Sequence, residues 1–402
     1  MRPYAGRRIL LGVTGGIASY KTAWLARLLA QAGAEVDVVL TRSAREFIGA
    51  VTFEALTGRP VHTELVSEGH ALDHIKLARE ADLLLVAPAT ADFLSRAAAG
   101  RSDDLLAACL LATEAPVLLV PAMNDRMWAH KQTRANVAHL CSLDYTVLDP
   151  ATGPLASPGE GDGPGRMHEP ATIFAHAGRV LEARGALYGR CVVVTAGPTR
   201  ESLDPVRFLS NHSSGKMGVA LAAAAWRRGA EVTLIAGPLA VAPPDGARLV
   251  RVESTEEMRD AVRAALPKAD VLVMAGAPAD FRPKAIAGSK IKKARRPESL
   301  GLVDTPDILL STLRARKKGA VIVGFALETD DALAHAREKL TAKHLDMIVV
   351  NDAREVGAGF DMDTNRVTIL APKAKPESLR LMSKPEVADA ILDRVEALLD
   401  GR

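Results

Sequence analysis

Ser210-Asn211-His212-Ser213-Ser214-Gly215-Lys216-Met217-Gly218 follows a strand-like run, Cys191–Ala196, and the turn Gly197-Pro198-Thr199-Arg200. It leads into an alanine-rich helical segment, Val219–Arg228. Hydroxyls, an amide, a lysine and two glycines thus stand where a strand-to-helix crossover places a ligand anion. Backbone N–H groups at a helix start bind phosphate, and glycine lets it approach closely. The run is not the G-x-x-x-x-G-K-[ST] phosphate loop. Its residue types point to a phosphate or carboxylate ligand in an α/β fold; the plainer alternative is a polar surface loop before a helix.

Outward from this loop the pattern alternates. Glu231–Gly237, Asp270–Ala275, Ala320–Phe325, Met347–Asn351 and Arg366–Leu370 read as strands. Thr255–Leu266, Ile308–Arg316, Thr329–His344 and Lys384–Leu399 read as helices. The first half follows the same plan: strands at Arg8–Val13, Glu35–Thr41, Asp82–Ala87 and Pro116–Pro121, helices at Ala18–Ala32 and Asp103–Thr113. Continuous apolar runs of strand length suit parallel strands buried on both faces. Right-handed crossovers between them give a doubly wound sheet. The expected fold is therefore α/β with two doubly wound, Rossmann-like domains, 1–188 and 189–402. Late in the first half, Ala151–Pro170 alternates glycine and proline, which excludes helix and central strand; a loop of this length is either disordered or a functional flap.

Composition fits two soluble domains. The chain has 402 residues, 48% hydrophobic and 25% charged, and a net charge of +3 is too small to argue for nucleic acid. Basic residues cluster at Lys290–Arg296, where one anionic ligand could use them. Three scattered cysteines, Cys109, Cys141 and Cys191, fit neither a metal site nor a disulfide framework, and a reducing cytoplasm is expected. The longest apolar stretch, Leu105–Met123, holds Glu114, Pro116 and Pro121, so no membrane span is expected.

Ligands of open α/β sheets bind beyond the carboxyl ends of the strands. The loops that fall there are Gly15-Gly16, Pro88–Thr90, Pro121–Asn124, Gly197–Lys216, Gly276–Asp280 and Phe325–Thr329. The first lacks the G-x-G-x-x-G spacing, and so suits a mononucleotide phosphate better than a dinucleotide. His74 precedes a strand; histidine titrates near neutrality and could serve as a general base, although a lone histidine is more often structural. Asn124 could hold a carboxylate or simply cap a helix.

Taken together, Gly15-Gly16-Ile17-Ala18-x-Tyr20-Lys21, His74-Ile75-x-Leu77, Ala87–Ala91, Pro121-Ala122-Met123-Asn124 and Gly165-Arg166-Met167 resemble the flavin-dependent cysteine decarboxylases. Thr195–Glu201, Leu203–Arg207, Ser210–Gly218, Ala279–Arg282, Lys290–Lys293, Pro306-Asp307-Ile308 and Gly324–Thr329 extend the resemblance. The whole chain is similar to the bifunctional phosphopantothenoylcysteine decarboxylase/phosphopantothenate–cysteine ligases of coenzyme A biosynthesis.

The resemblance implies a flavodoxin-like flavoprotein domain followed by a CTP-dependent ligase domain. It implies FMN at Gly15, Gly16, Ser19, Thr41, Ala87 and Thr90, with His74 as base and Asn124 at the substrate carboxylate. Met127, Arg166 and Met167 would touch substrate. In the ligase half it assigns Asn211 and Lys290 to an acyl-cytidylate intermediate and Ser213, Ser214, Gly215 and Lys216 to substrate. Ala275, Gly276, Ala277, Asp280, Pro306, Asp307, Ile308, Phe325, Lys339 and Lys343 would surround CTP. Mg²⁺ would accompany the triphosphate, with no ligand set assigned. The substrates implied are 4'-phosphopantothenate, cysteine and CTP. The implied assembly is a homo-oligomer, with trimeric flavin domains and dimeric ligase domains, up to a dodecamer.

Four positions depart from the family pattern. The flap carries Leu155-Ala156-Ser157-Pro158 where Leu-Ala-Cys-Gly is usual, and that cysteine donates the proton of the reductive step. A serine hydroxyl is a far weaker acid than a thiol. Full decarboxylation with Ser157 or water as donor is the reading adopted. A stop at the oxidised enethiol, or a regulatory flavin domain beside an active ligase, are the alternatives. Asp92 stands where Asn is frequent, and Gly276 where Ala is usual.

Overall fold

The computed structural model describes residues 2–66, 71–157, 159–293, 299–328, 332–352 and 362–401. Residues 294–296 of the basic run, Pro158 of the flap and Thr329 lie outside the described residues. The chain divides into two compact units, Met1–Glu182 and Ala183–Arg402. The joint falls before the expected 188/189 boundary because the intervening residues pack with the second unit. Gly185 lies against Glu396, and Tyr188 against Gly229.

In order, the first unit runs β1 (Arg8–Val13), α1 (Ser19–Gln31), β2 (Glu35–Leu40), α2 (Ala50–Thr57), β3 (Val61–His62), α3 (Asp73–Glu80) and β4 (Leu83–Ala89). It continues with α4 (Ala91–Ala98), α5 (Leu105–Ala112), β5 (Val117–Pro121), α6 (Asp125–Ala129), α7 (Lys131–Ser142), β6 (Thr146–Val147), β7 (Ala151–Pro154), β8 (Asp162–Arg166) and α8 (Pro170–Glu182). Its parallel sheet has the order β3-β2-β1-β4-β5-β6. The strand order reverses between β1 and β4, where Ile9 faces Leu83 and Gly12 faces Val86.

The continuous apolar runs are explained by burial on both faces. Leu11, Leu85 and Leu118 enter one core with α1 and α8, while Leu10, Leu84 and Leu119 enter the other with α4 and α5. Helix α5 is buried over Leu105–Leu110, which accounts for its lack of a polar face, and Asp104 caps it by accepting from Ala107 N at 2.8 Å. The glycine- and proline-rich segment forms a two-stranded antiparallel hairpin, β7 with β8, apart from the main sheet.

The second unit runs β9 (Cys191–Ala196), β10 (Arg200–Ser202), β11 (Phe208–Ser210), α9 (Lys216–Arg227), β12 (Glu231–Ala236), β13 (Arg248–Arg251), α10 (Thr255–Ala265) and β14 (Val271–Met274). Then come β15 (Phe281–Pro283), β16 (Leu302–Asp304), α11 (Ile308–Ser311), β17 (Val321–Glu328), α12 (Ala332–Ala342) and β18 (Met347–Asp352). The unit closes with β19 (Thr364–Asn365), β20 (Val367–Leu370), β21 (Glu377–Ser378), β22 (Met382–Ser383) and α13 (Lys384–Asp400). Its main sheet has the order β13-β12-β9-β14-β17-β18-β20-β21, reversing between β9 and β14. The strands from β13 to β18 are parallel, and β20 and β21 add an antiparallel edge.

Ile308–Arg316, expected as one helix, is α11 followed by a 3₁₀ turn at Leu313–Ala315. Thr312 Oγ1 donates to the Ile308 carbonyl at 2.6 Å and the Arg316 guanidinium takes the Leu309 carbonyl at 2.9 Å. Side chains thus satisfy carbonyls near the helix end, which favours termination.

Candidate functional site

Strand β1 ends at Val13 and α1 opens at Ser19, so residues 14–18 form the turn at the first strand-order reversal. Thr14 Oγ1 donates to the Pro88 carbonyl at 2.7 Å and accepts from Thr90 N at 3.1 Å, lacing this turn to the one after β4. Gly15 has no room for a side chain: a Cβ there would lie 2.4 Å from Ser43 Cβ and 2.9 Å from the Ser43 carbonyl. Thr41 donates to the Val13 carbonyl at 3.3 Å and holds the third loop in place. These loops open on a cavity of ≈ 830 Å³.

Gly15, Gly16, Thr41, Thr90, Asn124, Met127, Arg166 and Met167, all expected at a site, line that cavity. Ser19 and Ala87 are not among its lining residues. Ser19 Oγ donates to the Gly16 carbonyl at 2.6 Å, and the Ala87 carbonyl accepts from Thr22 at 2.7 Å. Both brace the loops from behind. Asn124 caps α6, its Oδ1 accepting from Arg126 N at 3.0 Å, so the capping role holds. Its Nδ2 remains for other partners and faces Glu160 Oε1 at 3.4 Å.

His74 does not line the cavity. It stands in the first turn of α3, a helix missed by the sequence pattern because only Leu77 and Ala78 are buried. The His74 Nδ1 atom is buried and has no hydrogen-bond partner among the described residues. Ser157 is outside the lining, whereas Leu155, Ala156 and Glu160 of the same flap belong to it; Ala156, Ser157 and Glu160 are all exposed.

Other wall residues escaped sequence reasoning. Lys21 is buried, donates to the Met167 carbonyl at 3.0 Å and pairs with Glu169 at 2.8 Å. Lys21 and then Arg166 hold the Glu169 carboxyl below its ordinary range, against the opposing effect of burial. Arg96 binds Asp92 at 3.0 Å and Asp104 at 2.7 Å along the rim. Asp92 is thus an ion-pair partner, a role that its substitution for the usual Asn makes possible.

In the second unit the loops after β9, β11 and β14 converge at the second strand-order reversal. Asn211 Nδ2 donates to the Pro278 carbonyl at 2.9 Å, which brings the Ser210–Gly218 run onto the 275–280 loop. Gly276 N donates to Thr195 Oγ1 at 2.9 Å, and Ala277 N to the Gly197 carbonyl at 2.8 Å. A Cβ on Gly276 would lie 3.0 Å from Thr195 Oγ1, so the smaller residue fits its neighbour. Gly215 adopts φ +74 at the mouth of α9, and Ser213 Oγ accepts its N–H at 3.4 Å. Ser214 is buried, and Lys216 pairs with Asp363 at 2.7 Å.

Asp307 caps α11 through Leu310 N at 3.0 Å and pairs with Lys343 at 2.8 Å. Burial opposes its charge, but Lys343 and the Leu310 and Leu309 amides keep the carboxyl below its ordinary range. Lys343 lies just past α12, yet its N–H still donates to the Lys339 carbonyl at 3.0 Å. Pro306 and Ile308 flank Asp307, the Asp280 carbonyl accepts from Thr305 N at 2.9 Å, and Phe325 lies within β17 opposite Val349.

Lys290 is exposed, on a loop fastened by a residue that sequence reasoning did not single out. Asp204, buried, accepts from Ile291 N at 3.1 Å and from Val206 N and Arg207 N at 2.8 and 2.9 Å. Burial alone would push this carboxyl up; the Arg207 guanidinium and those amides instead hold it well below the usual range. A carboxylate depressed in the folded state stabilises above its unfolded value near 3.9, and that contribution is lost as pH falls through the folded value. The stability gap between wild type and Asp204→Asn is therefore expected to be full at neutral pH and to shrink below about pH 4. Urea unfolding across that range checks it, and a gap that widens on acidification would contradict the clamp.

No helix among the described residues is long and apolar enough to cross a membrane, and none of their His, Cys, Asp and Glu side chains form a metal-holding group of three or more.

Comparison with known proteins covers both units. Residues 1–180 match the Flavoprotein family, and residues 187–399 match the DNA/pantothenate metabolism flavoprotein C-terminal domain. A Coenzyme A biosynthesis bifunctional protein CoaBC from Mycolicibacterium smegmatis is 47% identical over 413 residues, covering 99% of each chain. The protein of that name from Vibrio cholerae is 44% identical over 397 residues, covering 98% of each. Among solved structures, the C-terminal domain of a CoaBC protein is 38% identical, with a TM-score of 0.47, over 54% of this chain and 100% of its own. The chain belongs to the family of coenzyme A biosynthesis bifunctional proteins CoaBC, with a flavoprotein unit followed by a pantothenate-metabolism unit.

Proposed function

We propose that the 183–402 unit joins 4'-phosphopantothenate to cysteine with CTP and Mg²⁺, and that the 1–182 unit decarboxylates the product to 4'-phosphopantetheine with FMN. The observation that carries this reading is the cavity at the first strand-order reversal, where Gly15, Thr90, Asn124 and the flap hairpin meet. Its residues fit a flavin mononucleotide. The Gly15 turn, cleared of side chain, offers helix N-terminal amides to a phosphate. Ile17, Met123, Met127 and Met167 supply apolar wall for a ring system. Bound flavin supplies the redox chemistry of the cysteinyl side chain. The protein's own part is to hold the substrate: Asn124 Nδ2 at its carboxylate, Arg166 and the β7–β8 hairpin over it. His74 serves as base. Its orphaned Nδ1, placed off the cavity, and the exposed apolar Ile17 just before α1 with Tyr20 and Trp24 on α1 support a flavin site completed in a homo-oligomer; the trimeric flavin units and dimeric ligase units are what the family resemblance implies.

In the ligase unit a carboxylate must be activated before an amine can attack it, and transfer to CTP with loss of pyrophosphate does so. Asn211 fixes the 275–280 loop beside the phosphate-binding run, Lys290 and Lys343 answer the triphosphate charge, and Mg²⁺ travels with the nucleotide. Full-length protein given 4'-phosphopantothenate, cysteine, CTP and Mg²⁺ is expected to yield CMP, pyrophosphate, CO₂ and 4'-phosphopantetheine by mass spectrometry. Absence of CMP would sink the ligase reading, and intact phosphopantothenoylcysteine with no CO₂ would sink the decarboxylase reading.

A further inference from the structure

The flap places the Glu160 carboxyl on the cavity wall, facing Asn124. The β7–β8 hairpin is fixed at its base: Met123 N donates to the Gly165 carbonyl at 2.9 Å, and a Cβ on Gly165 would lie 2.2 Å from the Met123 carbonyl. At its tip Glu160 N donates to the Ser157 carbonyl at 3.0 Å, closing a turn. Glu160 Oε2 accepts from Ser157 N at 3.2 Å, and Oε1 faces Asn124 Nδ2 at 3.4 Å. Glu160 lines the cavity; Ser157 does not. Lys21, Arg96 and Arg166, cations of the same wall, are already paired with carboxylates, and Arg42 stands on the loop after β2.

We propose that Glu160 is the proton donor of the reductive half-reaction, charged with its proton by the substrate's own carboxylate. This rests on the reading of Asn124 as the group that holds that carboxylate. The Asn124 amide has two N–H donors, so it can hold the substrate carboxylate beside Glu160, and two carboxylates brought together in this way do not both stay ionised. Binding of the substrate carboxylate at Asn124 therefore drives Glu160 to take one proton from solvent. In the oxidative half-reaction the thiol gives its proton up to solvent and the sulfur-bearing carbon loses a hydride, which bound flavin would accept, leaving a thioaldehyde. Loss of CO₂ then breaks the Cα–carboxylate bond and leaves its electron pair delocalised as an enethiolate. The repulsion that kept Glu160 protonated departs with the CO₂. Glu160 gives its proton to the same Cα, restoring the thioaldehyde. Bound flavin would supply the hydride that reduces the sulfur-bearing carbon, balancing the one accepted in the oxidative half. The product leaves as thiolate and takes a proton from solvent, and Glu160 is again a carboxylate. The proton enters where CO₂ left, and Asn124 holds that position within reach of Glu160.

The test uses the flavin-loaded full chain and two probes without a free thiol, the S-methyl ethers of phosphopantothenoylcysteine and of phosphopantetheine. Calorimetry in buffers of different ionisation enthalpy should show wild type taking up about one proton more with the carboxylate probe than with the decarboxylated one. Glu160→Gln should show no such difference. In turnover, Glu160→Gln should form the saturated thiol about a hundredfold more slowly or worse, and accumulate the enethiol, lighter by H₂. Glu160→Asp should recover part of the saturated product. Equal proton uptake by wild type and Glu160→Gln, or enethiol from Ser157→Ala and not from Glu160→Gln, would overturn the assignment. Asn124→Ala tests the layer beneath: it should lose the preference for the carboxylate probe. If it keeps that preference, the Asn124 reading fails, and the charging of Glu160 fails with it.

Discussion

Lys290→Gln is expected to slow amide formation by about 10²–10³-fold, the usual worth of a charge contact made mainly in the transition state. Substrate binding should weaken far less. In the free protein Lys290 is exposed, so its charge is screened and does little. Its loop is nevertheless fixed at one end: Ile291 is held by Asp204 through its N–H at 3.1 Å and by Arg207 through its carbonyl at 2.6 Å. Closure over the triphosphate would bring the ammonium into a drier setting, where the same charge counts for more. Glutamine keeps reach and hydrogen bonding and removes only the charge. With phosphopantothenate, CTP and Mg²⁺, the variant should release pyrophosphate and build up phosphopantothenoyl-cytidylate, and added cysteine should consume it slowly. Asn211→Asp, which places an anion on the carbonyls of Ala277 and Pro278, should disturb the same loop pair. Wild-type rates in both variants, or no pyrophosphate before cysteine is added, would remove the two-step assignment.

The parts of this fold that sequence made legible are those where burial is two-sided. Leu83–Ala89 and Val117–Pro121 are buried throughout, so their composition alone marks them as strands of a covered parallel sheet. Helix α3 bears the opposite signature: two buried residues among charged ones leave little to read, and the sequence shows His74 only as a residue before a strand. The site divides the same way. Gly15, Thr90 and Asn124 follow directly from strand ends, where the doubly wound topology puts ligands. Glu160, the hold of Asp204 on Ile291 and the pairing of Asp307 with Lys343 are set by contacts between segments remote in sequence or by the curl of one hairpin; the resemblance names Asp307 and Lys343 singly, but no local spacing encodes these contacts. Ser157 shows the converse. Its position in a motif drew attention to the hydroxyl, while the hairpin turned Glu160, three residues on, into the cavity wall.

Gly15→Ala is expected to purify with little or no flavin. The added methyl would meet Ser43 Cβ at 2.4 Å and the Ser43 backbone carbonyl at 2.9 Å, and backbone cannot swing aside as a flexible side chain does. Either the turn after β1 or the loop after β2 must move, and both face the cavity. Overpacking of this kind costs about 1–3 kcal/mol. If the bound state must recover the native turn, that cost appears as a loss of about 5–150-fold in flavin affinity. Gly16 separates protein strain from ligand contact. A Cβ there meets Thr90 Cγ2 at 3.8 Å and Pro88 Cγ at 3.9 Å, ordinary packing distances. Any loss of flavin on Gly16→Ala therefore measures how closely the ligand itself approaches the turn. Flavin absorbance of the purified proteins, followed by titration of FMN into stripped samples, reads both. A Gly15→Ala protein as yellow as wild type and with the same affinity would place the flavin away from this turn.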